Sequence, residues 1–211
     1  FFVSTVHADG PGFTVTPILS EDQVSETKSY FDLKVIPKQQ VLLRLKINNQ
    51  TDQKQTYDLS VNTATTNKNG IVDYSFSHFD RDSSMKIALS DCIRLPEKRI
   101  VIPENSEKEV SMELDVPEEP FDGILLGGVT ITPEVKKNTQ GITNVFTRTI
   151  AIVVSEKSEK VKPEVEAGKV TVSQENLRNM VQISLRNSTP TLIQGLRANI
   201  TIKSKDTNKT I

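Results

Sequence analysis

The sequence predicts an all-β protein: an immunoglobulin-like antiparallel β-sandwich followed by a second, truncated β-sandwich domain. Three observations lead there. Sixty of the 211 residues are Val, Ile or Thr and 6 are Ala, and side chains branched at Cβ are stiff in helices but pack well on pleated strands. Apolar residues recur at every second position in several segments, the period of a strand with one buried face. Pro, Asn and Asp punctuate those segments, and no long stretch repeats with the period of a helix.

Taken in order, Phe13 to Thr16 and Tyr30 to Val35 are short candidate strands. Val41, Leu43, Leu45 and Ile47 point one way while Arg44 and Lys46 point the other. The run Asn48 to Asp52 then turns the chain, because Asn and Asp side chains bond nearby backbone. Tyr57, Leu59 and Val61 resume the alternation, and Ile71 to Tyr74 and Ile100 to Ile102 add short strands. Val110, Met112, Leu114 and Val116 alternate with Ser111, Glu113 and Asp115 until Pro117 removes a donor. Gly123 to Thr132 and Val145 to Val154 are more apolar, as central strands covered on both faces are. About eight or nine strands before residue 154 suit one immunoglobulin-like domain.

Ser155 to Val165 is charged, carries Pro163 and has no buried periodicity, which marks a linker. The second domain occupies residues 166–211. There Val181, Ile183 and Leu185 alternate, Asn187-Ser188-Thr189-Pro190 turns the chain, and Ala198, Ile200 and Ile202 alternate again. The order of strand, Asn-rich turn and strand repeats that of Val41 to Val61.

Lys plus Arg (26) nearly balances Asp plus Glu (27), for a net charge of -1. That balance excludes the basic footprint nucleic acid requires. Phe1, Phe2 and Val3 followed by Val6 and Ala8 match the end of a signal peptide cleaved before Asp9. Residues 1–8 are therefore assigned to that peptide, and residues 9–154 to the first domain. The alternative is a slightly apolar N-terminus of a cytosolic chain. With one Cys and two His, no disulfide framework can form within the chain and little material exists for thiol or metal chemistry.

No catalytic residue, metal site or cofactor is expected. His78 lies in a polar loop, and its surroundings and those of Cys92 match no thiol-enzyme signature. Asp80, Asp82 and Asp91 lack the Gly and terminal Glu of a calcium loop. Glu118 with Glu119, or Asp80 with Asp82, leaves a glycoside hydrolase as the alternative, which would need two carboxyl groups about 5–9.5 Å apart across a cleft. A pilus-type chaperone would need an exposed apolar edge strand. The four Asn-x-Thr sequons at Asn49, Asn187, Asn199 and Asn208 are what an Asn- and Thr-rich chain contains by chance.

Asn62 to Tyr74 is the most unusual stretch. It offers uncharged amides and hydroxyls, a turn at Asn69-Gly70 and an aromatic ring, the inventory for holding a sugar or an amidated peptide. The candidate ligand-binding residues are Asn62, Thr65, Asn67, Asp73 and Tyr74; a structural loop bonding its own backbone is the alternative. Gly123, Gly127 and Gly128 are expected to be structural, where a strand bends or another segment comes close.

Several stretches occurring in order resemble the WxL-interacting proteins of Gram-positive bacteria: Phe13 to Gln23, Ser29 to Val35, Asn62 to Tyr74, and Pro120-Phe121-Asp122-Gly123-Ile124-Leu125-Leu126-Gly127-Gly128-Val129. The resemblance covers Phe13 to Val154 in a peptidoglycan-binding module, and the Asn187 region is similar to the start of a host-binding domain. It implies a secreted, non-enzymatic cell-surface protein with two immunoglobulin-like domains and a C-terminal membrane helix absent from this sequence. The implied partners are peptidoglycan, WxL-domain surface proteins and host extracellular proteins. No residue-level site carries over from the resemblance, so the site residues rest on their own chemistry.

Overall fold

Alternating burial decides which segments become strands. The computed structural model describes residues 12–24, 26–135, 144–204, 206–208 and 210; Phe1 to Ala8, read as the end of a signal peptide, lie outside them. The chain divides into two units, Phe1–Val161 and Lys162–Ile211, and the division falls within the charged run Ser155 to Val165.

The first unit contains β1 (Phe13–Ile18), β2 (Phe31–Lys34), β3 (Gln40–Asn49), β4 (Gln55–Thr63), β5 (Thr65–Thr66), β6 (Val72–Asp73), a one-turn helix α1 (Leu89–Cys92), β7 (Ile93–Arg94), β8 (Arg99–Ile102), β9 (Ser106–Asp115), β10 (Leu125–Pro133) and β11 (Arg148–Ser155). One sheet has the order β1-β3-β9-β7 and the other β2-β11-β10-β4-β8, while β5 and β6 form a small hairpin. The inward residues of both sheets share one core, in which Leu43, Leu45, Ile47, Met112, Leu114, Val129, Ile131 and Ile152 have no solvent exposure. This is the immunoglobulin-like sandwich expected, with one pairing that is not antiparallel. β2 runs parallel to β11, with Phe31 opposite Ile152 and Leu33 opposite Val154. That register sends Phe31 and Leu33 into the core with no exposure.

Two strands are shorter than their apolar runs. β10 starts at Leu125 because Gly123 turns the chain at φ 70°, a region that side chains with a Cβ rarely adopt. β11 starts at Arg148, and Val145 and Phe146 remain exposed ahead of it. The weak alternation around Ile93 concealed β7 and α1.

The second unit contains β12 (Val165–Glu175) and β13 (Arg178–Asn187), paired through a turn in which Asn176 and Leu177 both have positive φ. Such turns match the twist of two-residue hairpins. Ala198 to Ile202 does not form the expected strand, and Ile200 and Ile202 stay exposed. Alternation needs a neighbouring strand to bond its backbone before it becomes structure.

Both units use the same asparagine device at the end of a long strand. Asn49 is fully buried; its Nδ2 donates to Gln53 O at 2.8 Å, and its Oδ1 accepts from Thr51 N at 3.1 Å and Thr51 Oγ1 at 2.8 Å. Asn187 repeats the set, with Nδ2 to Thr191 O at 2.8 Å and Oδ1 from Thr189 N at 3.3 Å and Thr189 Oγ1 at 3.0 Å. The pairing repeats too: Phe13 faces Asn49 and Val165 faces Asn187. Gln50 N donates to Gly12 O, and Ser188 N donates to Glu164 O. β12–β13 is thus the counterpart of β1–β3, which accounts for the strand-and-turn part of the repeat visible in the sequence. Asn49 further donates to Ile102 O and Pro103 O at the end of β8, joining the two sheets.

Asn49→Ala removes the side-chain hydrogen bonds to Ile102 O and Pro103 O that join the two sheets, a loss of about 1–3 kcal/mol. The expected result is a lower denaturation midpoint for the first unit with an unchanged denaturant slope.

Candidate functional site

At one end of the five-stranded sheet, β4 leads into the β5–β6 hairpin and β10 passes beneath it. Asn62 sits opposite Gly128 and Thr63 opposite Gly127. Asn62 points to the outer face yet is only 7% exposed, because its Nδ2 donates to Tyr74 O at 2.7 Å. Thr65 Oγ1 donates to Asp73 O at 3.2 Å. Asn67 Oδ1 accepts from Asn69 N at 2.9 Å and Ile71 N at 3.2 Å, around a turn in which Gly70 has φ 73°. The Asn69-Gly70 turn is therefore present, and these amide and hydroxyl groups are directed at the hairpin's own backbone. Asp73 Oδ1 accepts from Ser75 Oγ at 2.7 Å and Ser75 N at 2.8 Å. Those two bonds hold its carboxyl below the usual carboxylate range.

Tyr74 is half-buried, and burial pushes its phenol above the ordinary tyrosine value. Its ring lies over Gly128, where a Cβ would be 3.0 Å from Tyr74 Cδ1 and 2.9 Å from Thr149 Cγ2. Gly128 thus serves the outer face of the sheet. Gly127 serves the inner face, where a Cβ would be 2.5 Å from Asn62 O and 2.7 Å from Leu89 Cδ2. The two glycines let α1 approach β10 from one side and the tyrosine from the other. Thr63 ties α1 in place, accepting from Ser90 N at 3.0 Å and sharing a 2.8 Å hydrogen bond with Ser90 Oγ.

Beside this lobe the sheet presents a row of hydroxyls that the sequence reading missed. Thr130 lies opposite Ser60 on one side and Thr149 on the other; Ser60 and Thr149 are exposed and Thr130 is half-buried. Thr130 Oγ1 and Thr149 Oγ1 share a 2.9 Å hydrogen bond. Beyond the row, Arg99 bonds Asp58 at 3.0 Å and Glu134 at 2.6 Å. The missed signal was Ser60 and Thr130 at outward positions of their strands; the register that aligns them with Thr149 comes from pairing over long separations.

The thiol and carboxylate candidates do other work. Cys92 is buried in the core and its thiol is pushed up, first by burial, whereas His78 is exposed. Arg81 grips Asp91 through both carboxylate oxygens at 2.5 and 2.7 Å, Asp82 accepts from Ser84, and Glu118 pairs with Lys38. Among the described residues no cluster of His, Cys, Asp and Glu is placed to hold a metal ion.

A rigid sandwich carrying a polar, nearly neutral face and a braced loop lobe is a binding module, its contacts made by side chains that a scaffold positions. Residues 13–133 match the peptidoglycan binding domain of the WxL Interacting Protein, and residues 137–211 match its host binding domain. The chain belongs to the WxL Interacting Protein family: a cell-surface binding protein whose partners are peptidoglycan, a host component and WxL proteins. No curated protein matches the chain. Similar solved structures include the PapD-like domain 7 of human CEP192, with TM-score 0.40 and 9% identity, covering 76% of this chain and 96% of that one. A family 123 glycoside hydrolase from Clostridium perfringens has TM-score 0.42 and 9% identity over 69% of this chain and 28% of that one. The class 5 fimbriae chaperone CfaA has TM-score 0.38 and 12% identity over 83% and 67%.

The family boundary and the hydrogen bonds divide the chain differently. β11 falls within the stretch matching the host binding domain, yet it pairs with β10 and β2 in the first unit.

Gly128→Val is expected to displace Tyr74 and lower stability by about 1–3 kcal/mol through overpacking. In the parent protein the raised phenols of Tyr57 and Tyr74 contribute stability that is complete below pH ~10 and lost as pH rises through their folded values. An alkaline titration followed by tyrosinate absorbance should therefore show one fewer late-ionising phenol in Gly128→Val.

Proposed function

We propose that the first unit grips peptidoglycan through the Asn62–Tyr74 lobe and the sheet face beside it. The observation that carries this reading is the match of residues 13–133 to a peptidoglycan binding domain, over a fold whose exposed lobe is braced from within. Asn62, Thr65, Asn67 and Asp73 hold the lobe's shape, and Tyr74 offers a ring to the ligand. Gly123, Gly127 and Gly128 are structural in this reading, one as a turn and two as points of close approach.

The functional first domain extends through Val154, because β11 supplies the ladder between β10 and β2. The stretch 155–165 is its linker, with Ser155 ending β11 and Val165 opening β12, and the unit beginning with β12 meets the host component. Export is part of the proposal, supported by the apolar-to-small run ending at Ala8, as is retention by a membrane helix of the kind the family resemblance implies. Among the described residues no helix is long and apolar enough to cross a membrane.

The test is retention on purified peptidoglycan at low and high ionic strength. Wild type should be retained at both, since a chain of net charge -1 has little electrostatic attraction for salt to screen. Tyr74→Ala should weaken retention by about 0.5–1.5 kcal/mol, and Asn67→Ala should act through the shape of the lobe. Equal retention of the three proteins would move the site elsewhere on the sandwich. A fragment ending at residue 135 should fail to fold or bind, whereas one ending at residue 157 should do both.

A further inference from the structure

We infer that the hydroxyl row Ser60–Thr130–Thr149 on the outer face of the five-stranded sheet is a subsite for the glycan strand of peptidoglycan, with Tyr74 as its aromatic end wall. The inference rests on the peptidoglycan-binding reading above and says which chemical part of that polymer is held, and where.

Peptidoglycan offers two kinds of surface. Its peptide stems carry carboxylate and ammonium groups, which call for side chains of opposite charge. Its glycan strands carry uncharged hydroxyls and N-acetyl groups, together with apolar faces of sugar rings. The row matches the second kind. Each serine or threonine hydroxyl has one donor and two acceptor positions. The Thr130–Thr149 hydrogen bond uses one donor of the three, and among the described residues Ser60 makes no hydrogen bond through its side chain. Two donors and several lone pairs therefore face outward.

The charges next to the row do not suit a peptide stem. Arg99 is held by both Asp58 and Glu134, so its guanidinium is already matched by two carboxylates. At the opposite side, Tyr74 lies across Gly128, one row from Thr130 along β10, and its half-exposed ring suits the apolar face of a sugar. Three strands spaced at about 4.8 Å spread the hydroxyls over about 10 Å, a span of the order of a disaccharide. Ala151, paired opposite Gly128, adds only a small side chain to the row that Tyr74 covers, so the hydroxyl row beside it stays open.

The experiment uses the full chain with three probes: intact purified peptidoglycan, soluble glycan strands freed of stems by an amidase, and the released stem peptides. Wild type should bind the first two, and stem peptides should not compete. Thr130→Val with Thr149→Val keeps strand-forming shape while removing the hydroxyls, and should lower affinity for glycan strands about tenfold. Ser60→Arg, which blocks the row from an exposed position, should lower it at least as much. Each variant is compared at an unchanged denaturation midpoint. Should the double variant unfold, Ser60→Arg alone decides. Competition by stem peptides with no binding to bare strands, or wild-type affinity in the folded variants, would overturn the subsite while leaving peptidoglycan binding intact. Failure of wild type to bind intact peptidoglycan would overturn both.

Discussion

Two adjacent glycines in β10 govern what can be built at this end of the sandwich. Successive residues of a strand face opposite sides, so Gly127 opens the inner face and Gly128 the outer one. Any side chain at Gly127 would collide with the Asn62 carbonyl and with Leu89, and α1 could not seat. Any at Gly128 would collide with Tyr74 and Thr149, and the hairpin would lose its footing on the sheet. Helix, hairpin, tyrosine and the neighbouring hydroxyls all take their places from two positions at which no Cβ is present.

The asparagines play a comparable part at the other level of organisation. Asn49 and Asn187 each close a turn by bonding backbone and a threonine two residues on, and each lies opposite the first residue of a paired strand. The consequences differ with environment. Asn49 has β8 within reach and links the sheets from a fully buried position, where unpaired polar groups are expensive. Asn187 ends a ribbon in which Val172 is 76% exposed and Leu177 94% exposed. The same local motif is a keystone in one unit and a turn in the other.

Recognition is the chemistry this protein's family defines. Its buried thiol is disfavoured as a thiolate, its acidic residues are bonded to arginine, lysine or serine at several of the candidate positions, and both family matches are binding domains. Peptidoglycan, the ligand named by the first family match, is extended and repetitive, and such a polymer can be held by many weak contacts without a deep cleft.

Much of this was legible from residue order. Alternation located β3, β4, β9 and β13, the turn at Asn69-Gly70 followed from its composition, and combined motifs pointed to the family. Periodicity is a local property, set by the geometry of one strand. What tertiary structure alone decided was register and partnership. It determined that β2 runs parallel to β11, that Ala198 to Ile202 forms no strand, and that Asn62 and Asn67 turn their side chains toward their own hairpin. It also aligned Ser60, Thr130 and Thr149 across three strands. The last two are 19 residues apart, and Ser60 comes from a strand far earlier in the chain. No local pattern relates such positions, because hydrogen bonds between strands bring them into one row.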